Sequence, residues 1–293
     1  MANKKKLVQC ASWINSLEEP NMGYEHIIWE LNEDGVGVLT MNRPKVFNAM
    51  SQRMVHEMLD VFGFIDRDDA VKVLVITGAG DAFCSGADQR PDRNVDVFEL
   101  FDRHDKRKFR SSPHGLSGFG EIAMAVNRCR IPVIAAVNGI AAGGGLSVSL
   151  GADIRIASKN ARFCSVFMRR AQPPDTGTSY HLPRLVGTGH AMELIMTGDI
   201  IDAERASTIG LVNYVVKSEE LLIFTLDLAH RIASGPSVAI ELAKKLVKES
   251  LRNTLETQVS FEAWTVSAVS DTLDRKEGIT SFLEKRKPEF RGE

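Results

Sequence analysis

The chain of 293 residues has few of the residues that build disulfide frameworks or metal sites. Its four cysteines, Cys10, Cys84, Cys129 and Cys164, are widely spaced and form no Cys-x-x-Cys pair. It also lacks an excess of either charge, since the formal net charge is -2. Disulfide scaffolds, metal sites and general nucleic-acid binding are therefore disfavoured, and a reducing compartment is expected.

Long apolar runs are also missing. No stretch reaches the roughly 20 residues that a membrane-spanning helix needs, and the lysines at 4–6 are not followed by the hydrophobic region of a secretory signal. The remaining composition, 44% hydrophobic and 25% charged, is that of an ordinary globular protein. We therefore expect a cytoplasmic protein that binds neither membrane nor nucleic acid.

The strongest local pattern is at residues 132–153, which read PVIAAVNGIAAGGGLSVSLGAD. The apolar run at 133–137 is typical of a short buried strand, and three glycines at 143–145 precede a helix of small residues. Such a glycine turn leaves backbone N–H groups at a helix N-terminus free to bind an anion or a polarised oxygen. Dinucleotide binding is disfavoured because the pattern Gly-x-Gly-x-x-Gly is absent. An oxyanion hole and plain helix–strand packing both remain possible.

Strands and helices alternate through the first two-thirds of the chain, and helices alone follow. Strand patterns occur at 24–31, 35–41, 71–77, 133–137, 154–157 and 211–216, and a short one starts at Phe163. Helical patterns occur at 51–65, 116–127, 187–197, 202–209, 218–233, 237–251 and 254–269. The order predicts an α/β core with a helical C-terminal part.

Three parts of the chain follow from this order. Residues 1–22 are expected to form an N-terminal arm, 23–217 the core, and 218–293 a helical region. The stretch 90–120 has poor periodicity until its final helix begins, so we expect a lid or a binding loop there.

Eight dispersed segments carry a resemblance to a known family. Three of them are NRPKVFNAM at 42–50, VLVITGAGDAFCSGAD at 73–88 and PVIAAVNGIAAGGG at 132–145. The others are ADIRIAS at 152–158, LPRLVG at 182–187, AMEL with TGD at 191–199, GLVNYVV at 210–216 and GITSFLEKRKPEF at 278–290. In order and spacing the chain resembles the crotonase superfamily, also called enoyl-CoA hydratase/isomerase.

The resemblance implies a ClpP-like spiral of ββα turns, with C-terminal helices that assemble a homotrimer or a dimer of trimers. It implies an acyl-CoA thioester as the ligand and no separate cofactor, because coenzyme A is part of the substrate. Backbone N–H groups of Ala87 and Gly144 would hold the thioester oxygen and stabilise an enolate. The residues implied in coenzyme A binding are Lys45, Ala49, Ser85, Ala87, Asp88 and, from a neighbouring subunit, Phe282 and Lys285. For the lysines the alternative is a solvated surface role.

Two positions depart from the hydratases of this family. Ser147 and Phe167 stand where hydratases that resemble this chain carry glutamates, so water addition by a glutamate pair is disfavoured. Asp175 instead lies in the turn before the segment at 182–187. Its motif resembles the acid of dienoyl-CoA isomerases, ring-epoxide isomerases and a chlorobenzoyl-CoA dehalogenase. The alternative is a helix cap or an Asx turn.

From this we expect an acyl-CoA isomerase in which Asp175 moves a proton, helped by an apolar pocket that raises its pKa. The residues expected around the acyl group are Val166, Phe167, Met168 and Cys164, with Ser147 and Glu121 as weaker polar candidates. Hydrolysis or dehalogenation by Asp175, cleavage of a β-dicarbonyl compound, and a catalytically silent CoA-thioester binding protein are the alternatives.

Overall fold

The structure is a computed structural model, and it describes residues 23–89 and 118–293. The predicted arm at 1–22 and most of the stretch at 90–120 lie outside the described residues.

Two sheets organise the described chain. The first has the strand order β1-β2-β3-β5-β7-β10. Its strands are β1 (Ile27–Leu31), β2 (Val36–Met41), β3 (Val73–Gly78), β5 (Val133–Val137), β7 (Ile154–Ser158) and β10 (Tyr214–Val216). Only the β1–β2 pair in this sheet is antiparallel among the described strands. The second sheet consists of β4 (Ala82–Cys84), β6 (Ile140–Ala142), β8 (Arg162–Cys164) and β9 (Ile200–Asp202).

The helices follow the strands in a regular way. They are α1 (Gln52–Ile65), α2 (Gly118–Arg128), α3 (Gly144–Gly151), α4 (Thr178–Thr197), α5 (Ala203–Thr208), α6 (Leu221–Ala233), α7 (Ser237–Ser250), α8 (Leu255–Ala268) and α9 (Leu273–Glu284). Strands β5 and β6 lead into α3, and β7 and β8 lead into α4, so a strand of each sheet and then a helix form one turn. The predicted ββα spiral is confirmed.

Local signals explain where most elements begin. Ser51 caps α1, since its Oγ accepts the N–H of Met54 at 3.1 Å, as its sequence position predicts. Every residue of β5 is buried, which fits a parallel strand covered on both faces. Three strands of the second sheet, β4, β6 and β9, were not predicted, because three residues are too few to show a strand period.

The helix predicted at 187–197 is the second part of α4, which begins earlier, at Thr178, and is kinked where Gly187 has a φ of 78°. Helix α9 was not predicted, and the remaining predicted helices and strands lie within a few residues of their expected positions.

The C-terminal helices divide into two groups. Helix α6 packs its apolar face, which includes Leu221 and Leu226, on the first sheet. Helix α7 is held mainly by charge, because Lys244 and Lys248 reach the carboxylate of Asp153 at 2.7 and 3.2 Å. Large apolar side chains are exposed along the last three helices, at Val247, Leu251, Leu255, Val259, Trp264, Val266, Leu273, Ile279, Phe282 and Leu283. The predicted role of this region in assembly stays a prediction.

No described helix is both long and apolar enough to cross a membrane. Within the same residues, no three His, Cys, Asp or Glu side chains come together as a metal-binding group would require.

Candidate active site

The glycine turn at 143–145 joins β6 to α3 and forms one wall of a cleft. Gly143 has a φ of 51°, which favours glycine, and its N–H donates to the carbonyl of Cys164 at 3.1 Å. The first bond of α3 runs from the N–H of Ser147 to the carbonyl of Gly143. The N–H of Gly144 therefore lies ahead of the helical ladder and points out of the helix end.

Gly145 allows this turn to approach the second sheet closely. A Cβ atom at Gly145 would lie 2.1 Å from the carbonyl oxygen of Cys84, so only glycine fits there. The contact places the start of α3 directly beside the end of β4, from which the chain continues to Ala87.

Ala87 presents the second backbone donor. Its neighbours are fixed by Met50, just before the cap of α1, because Met50 N–H donates to the Gly86 carbonyl at 2.8 Å and Asp88 N–H donates to the Met50 carbonyl at 2.9 Å. Met50 and Ala87 thus form a parallel β-bridge. In such a bridge the N–H of Ala87 points away from Met50. A Cβ atom added at Gly144 would lie 3.9 Å from the Ala87 nitrogen, so the two amide groups are adjacent. Two neighbouring N–H groups of this kind can hold an oxyanion.

Both amide groups lie in one solvent-open cleft with a volume of about 390 Å³. The residues that line it are Ser85, Gly86, Ala87, Gln89, Phe119, Gly143, Gly144, Val166, Phe167, Arg170, Gln172, Asp175 and Thr176. The structure thus brings the predicted residues Ala87, Gly144, Phe167 and Asp175 together. A separate cavity lies elsewhere, around Arg169, His190 and Arg205.

Asp175 lies in the same cleft, where two neutral side chains hold its carboxylate. Its Oδ2 accepts from Gln172 Nε2 at 2.9 Å, and its Oδ1 accepts from the hydroxyl of Thr176 at 2.7 Å. The residue before α4 is Gly177, and no side chain caps that helix. The alternative that Asp175 serves as the helix cap is therefore wrong, and Asp175 is one of the residues that line the cleft.

The apolar surroundings that we expect for Asp175 are only partly present. Val166 and Phe167 line the cleft, and Phe167 is 6% exposed. Met168 and Cys164 were expected there as well, but Met168 is exposed and Cys164 turns its thiol to the carbonyl of Gly198 at 3.2 Å. Neither of them lines the cleft, and the side chain of Asp175 is exposed within the described part of the chain.

The polar candidates Ser147 and Glu121 do not line the cleft either. Ser147 is buried and bonds the hydroxyl of Thr178 at 2.5 Å and the carbonyl of Gly143 at 3.1 Å, so it joins α3 to the start of α4. Glu121 is exposed on α2. Where hydratases of this type carry glutamates, the chain thus has a buried structural serine and a buried phenylalanine.

The residues predicted to bind coenzyme A occupy several places. Ser85 and Ala87 line the cleft, whereas Lys45 is exposed on the 3-10 helix Pro44–Val46. Asp88 is not free for a ligand, since Arg43 binds it at 2.9 Å. Ala49 is buried, and its carbonyl also accepts from Arg43.

Phe282, which is 81% exposed, and Lys285 lie at the end of α9 and do not line the cleft of their own chain. Their predicted contact with a neighbouring subunit stays a prediction.

His181 lies behind the turn that carries Asp175. Its imidazole is close to Gly177, where a Cβ atom would lie 3.3 Å from His181 Cδ2. Burial and, to a smaller extent, the nearby cations of Lys248, Arg155 and Arg184 together lower the pKa of His181 to about 4. His181 is therefore neutral at physiological pH and acts as a packing group for this turn.

The polar residues of the cleft that were not predicted are Gln89, Arg170, Gln172 and Thr176. The two that hold the carboxylate flank Asp175 within three positions, and polar residues so close to a candidate acid could have been considered. Arg170 ends the 3-10 helix Val166–Arg170, one turn after Phe167.

Comparison with known proteins places this geometry in context. Residues 32–293 match the family described as enoyl-CoA hydratase/isomerase. Crotonyl-CoA hydratase of Syntrophomonas wolfei is 39% identical over 270 residues, which is 92% of this chain and 99% of that protein. The 1,2-epoxyphenylacetyl-CoA isomerase of Escherichia coli is 34% identical over 89% of this chain and 96% of that protein.

A solved structure gives the same result for the fold. The crystal structure of an enoyl-CoA hydratase from Bacillus anthracis superposes with a TM-score of 0.81 at 33% identity, over 92% of this chain and 100% of that one. The finer predicted likeness to aspartate-dependent isomerases and the dehalogenase is not confirmed, because hydratase names predominate among the relatives.

Proposed function

The chain belongs to the enoyl-CoA hydratase/isomerase family, and from this premise we propose that it moves a double bond along an acyl-CoA thioester, with Asp175 as the proton carrier. The thioester oxygen is held by the N–H groups of Ala87 and Gly144. No water is added to the product.

One observation carries this proposal. Asp175 is the only carboxylate side chain among the described residues that line the cleft. Addition of water in the manner of the glutamate-dependent hydratases needs two acids, and Ser147 and Phe167 occupy those positions here. A single carboxylate suffices to take a proton from one carbon and return it to another.

The proposed reaction needs no other reactant. Asp175 removes a proton from the α-carbon of a 3-enoyl thioester, and the electron pair of that C–H bond spreads into a dienolate whose oxygen carries the charge. The protonated carboxyl of Asp175 is exposed and exchanges its proton with solvent before it donates a proton to the γ-carbon, which leaves the double bond between the α- and β-carbons. Two fixed N–H dipoles stabilise the oxygen, and such donors contribute about 3 to 4 kcal/mol each in comparable sites.

Gln172 and Thr176 fit the same scheme. Each donates to a different oxygen of Asp175, so the carboxylate has one orientation when the substrate arrives. An acid positioned in this way loses less freedom in the transition state.

The direct test is proton exchange into deuterated water. Wild-type protein should catalyse incorporation of deuterium at the α- and γ-carbons of an enoyl-CoA, and Asp175→Asn should reduce that rate by about 10²- to 10⁴-fold. Glu121→Gln is the matched control, because Glu121 is an exposed carboxylate that does not line the cleft. Mass spectrometry of the recovered thioester gives the rate.

If Asp175→Asn exchanges as fast as the wild type while it binds the same thioester, another group moves the proton and the proposal is wrong. Equal losses in Asp175→Asn and Glu121→Gln would also contradict it, because the effect would then not be specific to the cleft.

A further inference from the structure

Arg170 is the only basic side chain among the described residues that line the cleft. We propose that Arg170 binds a carboxylate at the far end of the acyl group, so that the preferred substrates are CoA monothioesters of dicarboxylic acids. The inference rests on the proposed function, since it assigns the acyl group to this cleft, and it goes further by naming a substrate class.

The backbone around Arg170 is closely fixed. The 3-10 helix Val166–Arg170 ends at Ala171, whose φ is 50° and whose N–H donates to the carbonyl of Met168 at 3.1 Å. The N–H of Gln172 then donates to the carbonyl of Phe167 at 3.2 Å. Arg170 therefore extends from a rigid turn, on the same wall as Phe167 and Asp175.

Arg170 forms no ion pair with any carboxylate in the described parts of the chain. Asp175 lies on the same wall, but both of its oxygens accept from Gln172 and Thr176, and no ion pair links Asp175 to Arg170. The neighbouring Arg169 differs, since it lines the separate cavity and faces Asp199 at 3.8 Å. Two adjacent arginines thus line two different cavities, and no carboxylate within residues 23–89 and 118–293 pairs with the one in the cleft.

Substrate binding would change the surroundings of this cation. An acyl group that enters the cleft displaces water, and a desolvated guanidinium without a partner is costly. An apolar tail would leave Arg170 in that state. A terminal carboxylate can instead accept two parallel N–H bonds from the planar guanidinium, which is the arrangement that arginine favours.

A phosphate of coenzyme A offers the same anionic chemistry, and the position of Arg170 decides between the two. Arg170 belongs to the chain segment that also brings Phe167 and Asp175, the proposed proton carrier, to the cleft, whereas Ser85, a residue predicted to contact coenzyme A, belongs to the segment that carries the backbone donor Ala87. We therefore assign the acyl carboxylate to Arg170.

The test compares two thioesters of the same shape. Glutaryl-CoA ends in a carboxylate, and 5-methylhexanoyl-CoA has two methyl groups in place of its two oxygens. Calorimetric titration of the wild-type protein should give at least tenfold tighter binding of glutaryl-CoA. Arg170→Gln should abolish that preference by weakening glutaryl-CoA alone, and Arg169→Gln, the adjacent control, should leave it unchanged.

Other outcomes would overturn the inference. Equal affinity of the wild type for both thioesters contradicts a carboxylate site, and an Arg170→Gln variant that binds both thioesters and free coenzyme A more weakly places a phosphate at this residue. Neither result tests the proposed proton transfer by Asp175, which the exchange assay measures separately. Conversely, loss of exchange activity with an intact preference for glutaryl-CoA would contradict the proposed function and leave this binding site in place.

Discussion

The two walls of the cleft are built on different principles. The first wall, residues 85–87 with 143–145, offers backbone N–H groups at positions that neighbouring strands and helices fix. The second wall, residues 166–178, offers side chains, and its acid is exposed and held by two other side chains. The first wall stabilises charge on an oxygen, and the second determines which bond is then made or broken. A family that keeps the first wall can therefore change its reaction by changing the second.

The difference also concerns tolerance to substitution. The first wall has no free space, because a Cβ atom at Gly145 would meet the backbone of Cys84. The second wall is open to solvent at Asp175 and Gln172. Substitutions should therefore damage folding on the first wall and activity on the second.

The largest effect is expected for Gly145→Ala. The added methyl group would lie 2.1 Å from the Cys84 carbonyl oxygen, an atom that cannot move without breaking the second sheet. We expect a loss of more than about 3 kcal/mol in the free energy of unfolding, or no folded protein. Urea denaturation measures the loss.

Gly189→Ala is the control for this change. Nothing lies within 4 Å of a Cβ atom at Gly189, which is also in a helix, so the same substitution should leave stability equal or slightly higher. Comparable losses in both variants would show that the close approach at Gly145 is not what holds the first wall.

A smaller effect is expected at His181, behind the second wall. Its pKa is lowered from the ordinary 6.5 to about 4 in the folded chain. Between these two values the unfolded chain binds a proton that the folded chain does not, so this contribution is complete above pH 6.5 and is lost as the pH falls towards 4. With allowance for partial exposure the loss is on the order of 1 to 2 kcal/mol.

The variant His181→Gln separates the contribution of His181 to the pH dependence of stability from the contributions of the other titrating groups. Its unfolding free energy should fall less between pH 7 and pH 4.5 than that of the wild type, because it has no imidazole to protonate. Parallel pH profiles for the two proteins would show that His181 is not buried in its neutral form behind the acid-bearing turn.

On the second wall, Gln172→Leu should reduce activity with little change in stability. The substitution removes the donor to Oδ2 of Asp175 and leaves the Thr176 bond in place. We expect about tenfold slower deuterium exchange, which corresponds to roughly 1.4 kcal/mol, with unchanged affinity for the thioester. A weaker affinity with an unchanged rate would mean that Gln172 binds substrate and does not orient the acid.

The smallest effect is expected for Ser147→Ala, at the joint between the walls. The change breaks the 2.5 Å bond between the hydroxyls of Ser147 and Thr178. Stability should fall by about 1 kcal/mol, as is usual for one buried hydrogen bond. Exchange activity should stay within twofold of the wild type. A large loss of activity would show that Ser147 takes part in the reaction.

The sequence allowed the first wall to be predicted in detail. The glycines at 143–145 mark a backbone site, and the resemblance paired Gly144 with Ala87, which the structure places beside it. Backbone donors depend on the path of the chain, and that path follows from strand, turn and helix patterns that can be read locally.

The second wall could be predicted only in part. Asp175 was identified, but its partners Gln172 and Thr176 were not, because a side-chain bond depends on rotamers that no periodic pattern encodes. Cys164 was placed in the pocket because it is close in sequence to Phe167, yet its thiol turns to Gly198. Ser147 shows the same limit, since a residue two positions past the glycines was expected near the substrate and faces Thr178 instead.

The most direct test of the central claim is a single incubation of the wild-type protein with a 3-enoyl-CoA in water enriched in both deuterium and ¹⁸O, followed by mass spectrometry of the products. Proton transfer by Asp175 alone predicts a 2-enoyl-CoA that contains deuterium and no ¹⁸O. A 3-hydroxyacyl-CoA or a free acid that contains ¹⁸O as the main product would contradict the account, because water would then have been added where only a proton should move.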